Sequence, residues 1–64
     1  MTTQTIFDQP SDFDRDGQLV VYAHEDEMPY LRVATLTDDG NGEVFLTRAS
    51  AITLLHALDR WLRR

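Results

Sequence analysis

The chain has 64 residues and a mass of 7.4 kDa, enough for one hydrophobic core and no second, and 42% apolar residues, too many for a disordered chain. It contains no cysteine, which excludes disulfides, thiolate metal sites and cysteine nucleophiles and suits a reducing, cytoplasmic setting. Eleven acids against six bases, all arginine, leave a net charge of −5, which disfavours direct binding to nucleic acid phosphates.

Residues 1–18 hold four apolar side chains, Met1, Ile6, Phe7 and Phe13, and the rest of the apolar content lies in 19–64. That break suggests an irregular, acidic N-terminal arm over 1–18 followed by a folding unit over 19–64. The start Met1-Thr2-Thr3-Gln4 lacks the basic residues of a secretory leader, and no apolar run approaches the roughly 20 residues of a membrane span. A soluble, cytoplasmic protein with no membrane partner is the expectation.

Gln18-Leu19-Val20-Val21-Tyr22-Ala23-His24 is β-branched and aromatic and reads as a strand. A polar loop, Glu25-Asp26-Glu27-Met28-Pro29, follows, its proline holding Met28 extended. Tyr30 to Thr37 reads as a second strand, with Leu31, Val33 and Thr35 on one face and Tyr30, Ala34 and Leu36 on the other. Asp38-Asp39-Gly40-Asn41-Gly42 is a turn signal, since glycine and asparagine accept positive φ. Glu43-Val44-Phe45-Leu46 returns as a third strand, giving an antiparallel meander.

Thr47 suits a helix N-cap, though Ser50 at the third helical position leaves no capping box. From Arg48 to about Arg63 the apolar period is helical: Ala51, Leu54, Leu55, Leu58, Trp61 and Leu62 share one arc, with Thr53, His56, Arg60 and Arg63 opposite. The arginines near the end suit the helix dipole, which accounts for them without DNA. The predicted fold is α+β: a three-stranded antiparallel β-meander with one C-terminal α-helix packed on one face. Both faces of the first strand are apolar, however, so the second sheet face also needs a cover: the arm through Ile6, Phe7 and Phe13, a second copy, or another partner.

Asp12-Phe13-Asp14-Arg15-Asp16-Gly17 resembles the opening half of an EF-hand calcium loop, in which alternate carboxylates converge on a hard cation. The ninth and twelfth positions are Val20 and Ala23, so the resemblance ends after six residues, and a calcium-binding module on Asp12, Asp14 and Asp16 is an alternative only. His24 beside Glu25, Asp26 and Glu27 lacks the H-E-x-x-H spacing of a zinc site, and His56 is distant in sequence. Ser11 and Ser50 stand in no nucleophile elbow, and no glycine-rich loop could cradle a phosphate. Neither a catalytic group, a cofactor nor a metal is expected, and the reading is non-enzymatic.

What remains is the acidic surface. Asp8, Asp12, Asp14 and Asp16 line the arm, Glu25, Asp26 and Glu27 the first loop, and Asp38, Asp39 and Glu43 the second. On an extended arm, alternate carboxylates recur about every 6.6–6.8 Å. That is roughly two axial steps between phosphates of one DNA strand.

Size, acidity and the lack of cysteine and catalytic equipment together resemble small phage-encoded inhibitors, the anti-CRISPR proteins among them. The resemblance is one of type over the whole chain and rests on no motif. It implies a non-enzymatic inhibitor that binds a protein partner, a nucleic-acid-handling effector complex, with these ten acids as a possible DNA mimic. The alternatives are a self-associating regulatory or structural protein, with a homodimer as its form, and the calcium module.

Overall fold

The structure is a computed structural model and describes residues 2–13 and 16–64. Four strands, β1 (Thr2–Pro10), β2 (Gln18–Glu25), β3 (Tyr30–Thr37) and β4 (Gly40–Thr47), form one antiparallel sheet in the order β1-β2-β3-β4, and helix α1 (Arg48–Arg63) follows. The fold is therefore α+β with a C-terminal helix, as expected, but the sheet has four strands and not three.

The extra strand is the segment expected to be an irregular arm. Thr2, Thr3, Thr5, Ile6 and Phe7 favour extended backbone, and β1 pairs with β2 from Thr2↔Glu25 to Pro10↔Gln18. An edge strand gains its pairing from the backbone and needs no apolar alternation, so counting apolar residues missed it. The register shifts between Thr5 and Phe7, with Ile6 as the extra residue of a bulge. Such a bulge blunts an exposed sheet edge. Between β1 and β2 the Ser11 N–H donates to the Gly17 carbonyl at 2.8 Å. The composition break at residue 18 is thus not an architectural boundary.

The β3–β4 connection is tighter than its sequence suggests. Thr37 pairs with Gly40, leaving Asp38 and Asp39 as a two-residue turn, while Asn41 and Gly42 lie in the strand opposite Leu36 and Thr35. Among the described residues Gly40 alone takes a positive φ, 149°, and Asn41 does not use its tolerance for one. Thr37 Oγ1 donates to the Gly40 carbonyl at 2.7 Å and braces the turn.

Register assigns the faces as the sequence does. Val20, Tyr22 and His24 share one face with Ala34, Arg32 and Tyr30, and Phe45 and Glu43 continue it on β4. Leu19, Val21 and Ala23 share the other with Thr35, Val33 and Leu31, extended by Val44, Leu46 and, from β1, Phe7. The first face is aromatic and polar; the second is aliphatic.

Helix α1 begins where the sequence places it. Thr47 is extended (φ −72°, ψ 168°), and its hydroxyl accepts the Ser50 N–H at 3.2 Å. Arg63 reaches back to Asp59 at 2.9 Å, and Arg60 and Arg63 stand in the last turn. Packing is where the expectation fails. The helix approaches β3 and β4 but neither β1 nor β2, and buries no residue. Leu55, Trp61 and Leu62 are 61%, 58% and 72% exposed. Nor does the arm cover a face, since it extends the sheet sideways and Phe13 is almost wholly exposed. The buried hydrophobic core consists of Val20 and Ala34 among the described residues. The Cα atoms fill a slab of 36 × 35 × 15 Å.

Candidate functional site

Two surfaces carry the chemistry. The first is the aromatic face, whose side chains satisfy one another laterally. The Arg32 guanidinium lies 4.3 Å from the centre of the Tyr22 ring and 3.5 Å from the Glu43 carboxylate. His24 stacks on Tyr30 at 4.5 Å, Tyr30 tilts against Phe45 at 5.8 Å, and Thr3 Oγ1 and His24 Nδ1 share a 3.1 Å hydrogen bond. Register sets Tyr22 opposite Arg32, His24 opposite Tyr30 and Thr3 opposite His24, with Arg32–Glu43 and Tyr30–Phe45 as diagonal neighbours. A directly opposed pair adds about 0.2–1 kcal/mol. His24 Nε2 and Arg32 Nε are shielded from solvent without a hydrogen-bond partner.

The second surface comprises the acidic loops, and the structure divides them. The Asp38 N–H donates to the Asp16 carboxylate at 3.2 Å, which joins the 11–17 loop to the 38–39 turn and gathers Asp12, Asp16, Asp38 and Asp39 at one end of the sheet. Glu25, Asp26 and Glu27 stand at the opposite end, about 25 Å away along an eight-residue strand. There the Asp26 carboxylate accepts the Met28 N–H at 3.1 Å. Asp8 accepts from the Gln18 amide on the aromatic face, and Glu43 is held by Arg32. The described acids of this set therefore stand at the two ends of the sheet, with Asp8 and Glu43 within its strands, and do not form one stripe. Asp14 lies outside the described residues.

The calcium reading on Asp12, Asp14 and Asp16 falls partly outside the described residues, at Asp14. Among the described residues, no group of three or more His, Asp or Glu side chains is placed to hold a metal ion. His24 is a half-buried residue of β2, within the strand its sequence indicates. Ser50 is engaged with the Thr47 hydroxyl at the helix start, and the Ser11 hydroxyl accepts the Phe13 N–H. An open groove of about 400 Å³ lies between Phe7, Pro10, Leu19 and Thr35, and Asp12 is the one carboxylate among the described residues that lines it.

No described helix is long and apolar enough to cross a membrane. Comparison with protein-family models, with curated proteins and with solved structures gave no match.

Proposed function

We propose that the chain is a non-enzymatic protein ligand, an inhibitor of the anti-CRISPR type, that presents its acidic loop end to the cationic groove of a nucleic-acid-handling complex. One observation carries the reading: the Asp16–Asp38 hydrogen bond brings two acidic loops to one end of the sheet, where four described carboxylates stand together. Such a patch attracts arginine- and lysine-rich grooves at long range and speeds encounter, with a strong dependence on salt. Glu25, Asp26 and Glu27 form a second, smaller patch at the far end. The mechanism is competition, with carboxylates taking the places of phosphates.

The test is displacement of a labelled DNA duplex from purified CRISPR effector complexes at low and high salt. Displacement that fades with salt, and that weakens at least about tenfold when Asp12, Asp16, Asp38 and Asp39 are all changed to Asn, supports the reading. Undiminished displacement by that variant removes the acidic end from the mechanism, and no displacement from any effector class ends the proposal.

A further inference from the structure

We propose that a second copy of this chain completes the fold, with helix α1 of each copy laid across the aliphatic sheet face of the other. The chain exposes 5579 Å². A compact monomer of its mass exposes about 4,200 Å². The excess, about 1,400 Å² per chain, is larger than the roughly 800 Å² that each partner gives to a standard interface, and doubled it lies within the range of obligate homodimers. The radius of gyration agrees, at 13.2 Å. A compact chain of this length has about 11 Å, and one of twice the length about 14 Å.

Most of the exposed large apolar side chains lie in two places, Leu54, Leu55, Leu58, Trp61 and Leu62 on the arc of α1 and Phe7, Leu19 and Val44 on the aliphatic face. Phe13 and Met28 are in loops and Phe45 is on the other face. The first turn of the helix adjoins that face, where Ala51 and Arg48 line a cleft with Ala23 and Leu31. Beyond this point the helix leaves its own sheet. β4 ends at Thr47 and α1 starts at Arg48, so no linker residue separates them. Folding a helix back over its own sheet takes a connection of about 2–6 residues. A hinge this short favours exchange between copies over closure within one.

Residues 48–64 carry four arginines and one acid, net +3, while residues 1–47 carry ten acids and two arginines, net −8. Opposite net charges favour the encounter of one copy's helix with the other copy's sheet. The contact itself is apolar, since Arg60 and Arg63 lie opposite the arc and no acid stands beside Val21, Val33 and Val44 at the centre of the aliphatic face. Lengths match as well: a 16-residue helix spans about 24 Å. An eight-residue strand spans about 26 Å. The acidic loops stay at the ends of the sheet, so this inference does not rest on the proposed inhibition.

Sedimentation equilibrium of the full chain from about 1 to 100 µM tests the assembly, the upper end lying well above the dissociation constants of specific complexes. A species of twice 7.4 kDa is expected; a 7.4 kDa species throughout overturns the proposal. Leu58→Glu places a charge in the arc and should raise the dissociation constant at least about 100-fold. An unchanged dimer for this variant overturns the helix as the contact. Should L58E fail to fold, the wild-type Trp61 decides: blue-shifted emission resistant to iodide supports the proposal, and solvent-like, fully quenched emission overturns it. The native chain has no cysteine, so mixing Leu58→Cys with Val33→Cys chains under mild oxidation reads the arrangement. A mixed disulfide is expected, and L58C pairing only with itself overturns helix-on-sheet packing.

Discussion

The two faces of the sheet are built from the same strands, yet they reach opposite ends. On the aromatic face, Val20 and Ala34 fall below 10% exposure within a single layer, because Tyr22, Arg32 and their neighbours close over them. The aliphatic face has no such roof. Its central Val21, Ala23, Leu31 and Val33 are half-buried and none reaches full burial, and on β4 Val44 is 58% exposed, as Phe45 on the aromatic side is 57%. Long amphipathic side chains can finish a surface alone, while short aliphatic ones require a second layer.

Paired substitutions on adjacent residues would break this comparison most sharply. Val20→Asp places an unpaired charge in the enclosed centre and should cost more than about 3 kcal/mol, abolishing the cooperative transition seen by circular dichroism. Val21→Asp, one residue away on the aliphatic face, should keep the strand spectrum and lose association. Equal unfolding by both would erase the distinction between the faces. Next comes Arg32→Met, which removes the contact with Tyr22 and the pair with Glu43. A loss of about 1 kcal/mol by urea denaturation is expected, partly reproduced in the wild type by high salt. Val44→Thr on the other face should leave the stability of a single copy nearly unchanged in the same measurement.

The helix gives smaller effects. Thr47→Ala removes the cap hydroxyl that accepts the Ser50 N–H, for a loss of about 1 kcal/mol and lower ellipticity at 222 nm. Asp59→Asn breaks the pair with Arg63 and should cost about 0.3–0.5 kcal/mol, a difference that vanishes in 1 M salt. If Thr47→Ala proves silent, the helix is held by tertiary contacts and not by its own cap.

Much of the local structure was legible. Tyr30–Thr37 and Arg48–Arg63 occupy the spans their periodicity indicates, and Thr47 caps as its side chain allows. β1 was not read because Thr2, Thr3, Gln4 and Thr5 contribute no apolar alternation, although their β-branched content was a signal that could have found it. Of the candidate contact residues, Asp38 and Asp16 were brought together by a meander whose loop ends were foreseeable, while the pairing of Glu43 with Arg32 depended on cross-strand register.

By itself, the sequence determined which backbone segments are extended or helical and which side chains alternate to which face, because these follow from sterics and periodicity within a few residues. Only the tertiary structure decided that residues 2–10 join the sheet as an edge strand, that Glu43 pairs with Arg32, and that the helix stands away from its own sheet beyond its first turn. Those outcomes depend on register between distant segments and on a strand–helix junction without a linker, neither of which leaves a local trace in the chain.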